Sequence, residues 1–257
     1  MIKIKDLKVN VWEKEILKDI SLNFEIWKNY LVLWKNWSWK SSLANFLMWN
    51  LVYDYISWSV KIDWKNLISM KADDRSKAWL FLSFQNIPEI EWVNLNEYLR
   101  IIYNNSKISE PSPPTPLPSW EGSKFDFKWL SPFIFKRFIK KYLLELEIDE
   151  KFLSRDLNVW FSWWEKRKIE LLQARLLEPK YIILDEIDSW LDIDAFKVVS
   201  KLISKLQNKN NSIIVITHHF KITDYLKFDK VYVLKDWVVE KEWEIELLEE
   251  IKDKGFE

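Results

Sequence analysis

Lys40, Ser41 and Ser42 close the nonapeptide Trp34-Lys35-Asn36-Trp37-Ser38-Trp39-Lys40-Ser41-Ser42, which follows the apolar run Tyr30–Leu33 and leads into a helix-like stretch, Ser42–Leu51. Buried strand, tight loop, Lys-Ser and helix form the layout of a phosphate-binding P-loop. In such a loop backbone N–H groups and a helix N-terminus converge on phosphate oxygens, an approach that glycine permits. Lys40 would neutralise β/γ-phosphate charge, and Ser41 Oγ would ligate Mg²⁺. Yet the two positions that the motif reserves for glycine hold Trp34 and Trp39.

Two further stretches carry chemistry. Tyr181-Ile182-Ile183-Leu184-Asp185-Glu186 is an apolar strand that ends on two carboxylates. Asp185 suits Mg²⁺ held through water, and Glu186 suits a general base that polarises an attacking water. Taken alone, two such carboxylates more often cap a helix, but here the strand shares a chain with the nonapeptide. In Phe161-Ser162-Trp163-Trp164-Glu165, Ser162 stands as a helix N-cap and Glu165 at the capping-box position. With glycine at 163 and 164, that loop becomes an anion-binding helix N-terminus.

The chain holds 18 tryptophans and 2 glycines, against the roughly 7% glycine of ordinary proteins. The tryptophans stand where turns need glycine: Trp27 in Ile26-Trp27-Lys28, Trp58 in Ser57-Trp58-Ser59, Trp64 after Asp63 and Trp237 after Asp236. A bulky side chain at positive φ is a steric outlier, and glycine is not. The reading that follows is that these codons are UGA, decoded as glycine in the source cell and written here as tryptophan. The competing reading is a truly tryptophan-rich protein. Context does not decide Trp120 and Trp129.

These groups need a frame. Alternation over Ile2–Val11 and an apolar pattern over Ile16–Phe24 indicate two strands, and Ala78–Phe84 another, ending at Gln85. Val60–Ile62 and Leu67–Ile68 flank the Asp63-Trp64 turn. Asn94–Tyr103 and the basic stretch Phe133–Leu146 read as helices, the latter as a packed helix with a solvated Lys/Arg face rather than a membrane-surface one. Glu165–Leu177 and Ile193–Leu206 are helical, Ser212–Ile216 is a β-branched strand, and Val231–Leu234 with Val238–Val239 forms a hairpin. Strands alternating with helices give an α/β fold with a mostly parallel central sheet. Residues 106–123 carry most of the eight prolines and read as a solvated insertion with polyproline character.

A chain of 257 residues, 48% hydrophobic and with net charge +0, can bury a full core and does not suggest broad nucleic-acid binding. It shows no membrane-length apolar run and no secretory leader. It has 0 Cys, which removes disulfides and cysteine-bound metal and fits a reducing cytoplasm.

Together the three motifs resemble those of the ATP-binding-cassette (ABC) ATPases, from about residue 2 to 250. The runs Asn158-Val159-Trp160-Phe161-Ser162-Trp163-Trp164-Glu165-Lys166-Arg167-Lys168 and Leu184-Asp185-Glu186-Ile187-Asp188-Ser189-Trp190-Leu191-Asp192-Ile193-Asp194-Ala195 resemble one branch, the SufC-type ATPase of the SUF iron–sulfur cluster assembly system. Ser83-Phe84-Gln85-Asn86-Ile87-Pro88-Glu89-Ile90 is similar to the Q-loop region of that branch. The resemblance implies a P-loop NTPase fold with an ABC-type core, an antiparallel β subdomain and a helical subdomain. It places the nucleotide-binding core in residues 1–86 and 161–257 and the helical subdomain in 87–160.

It also implies ATP and Mg²⁺ as ligands, with the phosphates on residues 34–42 and Mg²⁺ on Ser41, Gln85 and Asp185. Catalysis would fall to Glu186 and His218, which fits the spacing better than His219. Ser162, Trp163, Trp164, Glu165 and the D-loop residue Asp192 would act across a transient ATP-dependent homodimer, two copies holding two ATP head to tail. Partners would be SufB- and SufD-like scaffold subunits in the cytoplasm, with no nucleic acid and no direct membrane insertion. Val11 lies near where many ABC ATPases stack an aromatic on adenine, which puts base selectivity in doubt. The alternatives are the ATPase subunit of a membrane transporter and, with the tryptophans taken literally, a non-hydrolysing scaffold of the same fold.

Overall fold

A computed structural model describes residues 1–11, 14–34, 40–48, 53–77, 80–107, 129–187, 193–218, 220–235 and 238–244. The chain divides into two compact units, Met1–Asn86 with Glu178–Glu257, and Ile87–Leu177.

The first unit contains β1 (Ile2–Val11), β2 (Lys14–Phe24), β3 (Tyr30–Trp34), α1 (Lys40–Leu47), β4 (Tyr53–Ile62), β5 (Lys65–Asn66), α2 (Ala72–Lys77) and β6 (Leu80–Ser83). The second unit supplies β7 (Ile90–Asn94), α3 (Leu95–Ser106), α4 (Pro132–Glu145), β8 (Asp156–Leu157) and α5 (Trp163–Leu177). The chain then returns to the first with β9 (Tyr181–Asp185), α6 (Ile193–Leu206), β10 (Ser212–Thr217), β11 (Lys230–Lys235) and β12 (Val238–Glu244).

A six-stranded sheet in the order β12-β11-β3-β10-β9-β6 forms the platform, and only its β11–β12 pairing is antiparallel. Every residue of β9 and β10 is buried, as expected of parallel strands covered on both faces. A second, antiparallel sheet runs β2-β1-β4-β5. Its alternating apolar residues Ile2, Ile4, Leu17, Ile20, Leu22 and Phe24 share one core with Leu43, Ala44, Phe46 and Leu47 of α1. Edge-on packing of Phe24 against Tyr30, with ring centroids 4.9 Å apart, joins β2 to the central sheet.

In the second unit α3 and α4 start on strong caps. The Asn94 side chain accepts from the Glu97 N–H, and that of Ser131 accepts from Ile134 N–H with Pro132 in the first turn. Helix α5 packs with α3 and α4 in this unit. The sequence boundary had assigned residues 161–177 to the core. The proline-rich stretch beyond Lys107 and the D-loop residues Ser189 to Asp192 lie outside the described residues.

The tryptophans were expected at turns, and Trp58 departs from this. It lies within β4, across from the register shift at Lys5/Lys8 where Asp6 takes φ 49°. An uncrowded strand residue beside a bulge leaves a glycine signature that sequence alone does not separate from a turn. At the Asp63-Trp64 turn the left-handed residue is Asp63, at φ 54°. Trp27, Trp92 and Trp160 do take left-handed backbone, at φ 65°, 64° and 59°. Their indoles are 66%, 91% and 85% exposed. An L-residue in that region costs about 1–2 kcal/mol, which glycine avoids. In protein made with tryptophan at these positions, Trp27→Gly and Trp160→Gly are each expected to raise stability by about 1 kcal/mol over the matching alanine variants in urea denaturation. Equal glycine and alanine stabilities would contradict the left-handed assignment.

Candidate functional site

Strand register builds the site. Leu33 of β3 pairs with Thr217 of β10, Ile216 with Asp185 of β9, and Leu184 with Ser83 of β6. The carboxyl ends of four neighbouring parallel strands therefore come out on one edge, where ligands of open α/β sheets bind. Trp34 is the last residue of β3, and His218, Glu186 and Gln85 follow the ends of β10, β9 and β6. Helix α1 begins at Lys40, with Ser41 and Ser42 in its first turn. Residues 35–39 lie outside the described residues, as does His219.

Glu186 is the centre of what the structure brings together. It is 7% exposed and sits at φ 46°, with its N–H donating to the Ile216 carbonyl at 2.9 Å. A left-handed glutamate is a strained conformation, of order 1–3 kcal/mol, and such residues cluster at functional sites. Gln85 Nε2 donates to Glu186 Oε2 at 2.6 Å, and His218 Nδ1 lies 3.4 Å from Oε1. Gln85, Glu186 and His218 were singled out separately in the sequence and form one contact group. Asp185 precedes Glu186 at 3% exposure.

The donor chemistry suits Mg²⁺. A buried carboxylate, an amide oxygen and a serine hydroxyl are hard oxygen ligands, and Mg²⁺ is held by one or two carboxylates together with substrate phosphates. Among the described residues no cluster of three or more His, Cys, Asp or Glu could hold a metal unaided.

Ser162 and Glu165 belong to the second unit. Glu165 Oε2 accepts the Ser162 N–H at 2.8 Å, the glutamate half of a capping box at the start of α5. Arg155, outside the motif runs, and Asn158 and Glu89, inside them but given no role of their own, brace this loop. Arg155 Nη2 donates to the carbonyls of Val159 and Trp160, both at 2.9 Å. Asn158 Nδ2 donates to the Pro88 carbonyl at 2.9 Å. Glu89 accepts from Lys166 Nζ at 2.7 Å, and that hydrogen bond holds its carboxyl below the usual carboxylate range. The only sequence signal for them is a charged or amide residue close to each end of a motif.

The chain resembles known proteins over its whole length. No protein-family model matches it. A probable ATP-dependent transporter ycf16 of Cyanophora paradoxa is 33% identical over 257 residues, covering 100% of this chain and 93% of the relative. The probable ATP-dependent transporter SufC of Escherichia coli is 32% identical over 256 residues, covering 100% and 97%. The chain belongs to the SufC/ycf16 family of ABC ATPases. Solved structures agree on the fold. An ATP-binding cassette dimer in a post-hydrolysis state with ADP and Pi superposes with TM-score 0.70 at 19% identity, covering 95% of this chain and 99% of that one. The ATP binding subunit of an ABC transporter gives 0.73 at 18%, covering 99% and 95%. Among the described residues of this ABC ATPase no helix is long and apolar enough to cross a membrane.

The Gln85–Glu186 contact can be tested by charge. In Gln85→Glu a second carboxylate faces Glu186, so one of the pair keeps a proton and its folded-state pKa rises. A raised carboxylate pKa costs nothing while the group is protonated, and costs progressively more as pH climbs above the unfolded value near 4.3. Urea unfolding should find Gln85→Glu close to the parent at about pH 4 and about 1–3 kcal/mol less stable at pH 8. A pH-independent difference would separate the two side chains.

Proposed function

We propose that this ABC ATPase hydrolyses ATP to ADP and phosphate to drive iron–sulfur cluster assembly on SufB/SufD-like scaffold subunits. The observation that carries the reading is the grouping of Gln85, Glu186 and His218 at the carboxyl edge of the sheet beside α1, in a chain 32% identical to SufC over its length.

In this reading Lys40 and the α1 N-terminus bind the phosphates. Ser41, Gln85 and Asp185 would hold Mg²⁺, which supplies charge neutralisation on the β- and γ-phosphates when bound. Glu186 accepts a proton from the attacking water as the water oxygen bonds to the γ-phosphorus and the bond to the leaving ADP oxygen breaks. His218 stands beside the carboxylate to contact the γ-phosphate. Asp192 and the Ser162–Glu165 loop act across a transient homodimer, with the loop of one copy closing on the nucleotide of the other. The chain contains 0 Cys, so iron and sulfide would be cargo of the scaffold subunits. The same reading places it in the cytoplasm, peripheral to any membrane, with no nucleic-acid partner.

The tryptophans enter the proposal as glycine positions. The left-handed backbone at Trp27, Trp92 and Trp160 supports this, as do indoles exposed where tryptophan is ordinarily well covered. In native protein the loop 34–42 would then be Gly-Lys-Asn-Gly-Ser-Gly-Lys-Ser-Ser. Intact mass spectrometry of protein from the source cell is expected to fall below the 31.4 kDa of the written sequence by one indolylmethyl-for-hydrogen difference at each recoded position. A mass of 31.4 kDa would end the recoding proposal.

The relatives' description as probable ATP-dependent transporters favours a second reading, the ATPase subunit of a membrane transporter. Affinity purification from the source cell separates the two: co-purifying SufB/SufD-like subunits support the first, and integral membrane subunits replace it with the second. For the chemistry, Lys40→Ala should lose ATP binding, while Glu186→Gln should keep it and lower turnover on the order of 100-fold or more. Glu186→Gln turning over at the parent rate would remove Glu186 as the base. ATP binding without turnover in the parent itself would point to a non-hydrolysing scaffold.

A further inference from the structure

Arg75 of α2 is almost fully buried, at 3% exposure, and its side chain is turned onto backbone carbonyls. Nη1 donates to the carbonyls of Phe46 at 2.5 Å and Leu47 at 2.9 Å, and Nε donates to the Met70 carbonyl at 2.9 Å. Phe46 and Leu47 are the last two residues of α1, the helix that begins at Lys40. A helix leaves its last four carbonyls without intrahelical partners and gathers partial negative charge at that end. A guanidinium supplies both the donors and the opposite charge, and its planar fork reaches two directions at once. Desolvating a cation here is costly, so the group has been placed where it does more than decorate a surface.

We propose that Arg75 is a positioning residue of the nucleotide site, which holds the C-terminal end of α1 so that Lys40 and Ser41 at the opposite end stay aligned. The proposal rests on the reading of α1 as the phosphate-binding helix. With 8 residues α1 is too short to be stable alone and spans about 12 Å. Its inner face is fixed by Leu43, Ala44, Phe46 and Leu47 in the core. Apolar packing resists lifting of the helix from the sheet but only weakly resists sliding and rotation, since it is non-directional. Hydrogen bonds to terminal carbonyls are directional and supply that missing constraint. Met70 lies just before α2, so the bond to its carbonyl also ties the guanidinium to the segment that presents it.

The test uses full-length protein carrying the residues decoded in the source cell. Arg75→Met, Arg75→Lys and Lys40→Ala are compared with a stability control, Leu143→Ala in the core of the second unit. Equilibrium titration with Mg-ATP and thermal unfolding without nucleotide are measured for each. Arg75→Met should weaken ATP binding on the order of tenfold, well beyond the control at a comparable loss of thermal stability. Arg75→Lys, which keeps the charge but not the fork, should fall between Arg75→Met and the parent. If Arg75→Met does not fold, Arg75→Lys decides, and parent-like binding by it overturns the proposal. Arg75→Met binding like the control also overturns it, provided that Lys40→Ala abolishes binding. If Lys40→Ala itself binds normally, the nucleotide-site reading has failed, and the role given to Arg75 fails with it.

Discussion

The register of four parallel strands is the constraint on which the rest of this molecule depends. β3, β10, β9 and β6 pair so that Leu33 meets Thr217, Ile216 meets Asp185, and Leu184 meets Ser83. Their apolar residues admit little slippage, because a shift of one residue would exchange the side chains that are close-packed on the two covered faces. The hydrogen bond from the Glu186 N–H to the Ile216 carbonyl prolongs the β9–β10 pairing by one residue beyond β9. It does so with Glu186 in a left-handed conformation, so the carboxylate is directed by a rigid platform and not by a loop. Strain at one residue is tolerable because fully buried strands surround it on the platform.

In each unit several polar side chains are fastened to backbone or to a neighbouring functional group. Arg75 is fastened to the end of α1, and Gln85 to Glu186. In the second unit Arg155 and Asn158 fasten the chain ahead of α5 through carbonyls. Side chain-to-carbonyl bonds of this kind cap short elements that intrinsic propensity would not sustain. The same economy appears in both units, although they serve different loops. Arg75 ties the C-terminal end of α1, and Arg155 and Asn158 tie the chain that leads into α5.

The central strands were legible in the sequence as continuous apolar runs and the long helices by their period, whereas β7 and most of β4 were not legible. Tyr181–Asp185, Ser212–Thr217 and Ile193–Leu206 lie within a residue of where pattern places them. The two-residue strands β5 and β8 were not legible, since a period cannot be read from two positions. Trp58 was misplaced in a turn because a position that wants no side chain looks alike in a turn and beside a bulge. The second compact unit ends at Leu177, whereas motif order suggests a division at 160/161. Motif order along the chain says which loops matter, but α5 packs with α3 and α4, and packing is a tertiary choice. Gln85, Glu186 and His218 were each visible as a residue type after a strand. Their mutual distances follow from strand order, β10-β9-β6, and sequence does not reveal that order.

Backbone conformation and side-chain exposure make separate claims about the tryptophans. Left-handed backbone alone does not mark a glycine position, since Asp6, Asp19, Asp63, Glu147, Asn158, Glu178 and Glu186 adopt it too. Short polar side chains tolerate it through local hydrogen bonds, and surface glutamates at helix ends meet little crowding. Exposure alone does not mark one either, because single exposed aromatics occur on most proteins. The conjunction is harder to obtain otherwise. Of the seven tryptophans whose exposure is described, none is buried, and Trp27, Trp92 and Trp160 combine positive φ with an indole in solvent. An indole placed there gives up the burial that makes tryptophan useful and accepts a backbone that disfavours any Cβ. Both penalties vanish with the same single change, the loss of the side chain.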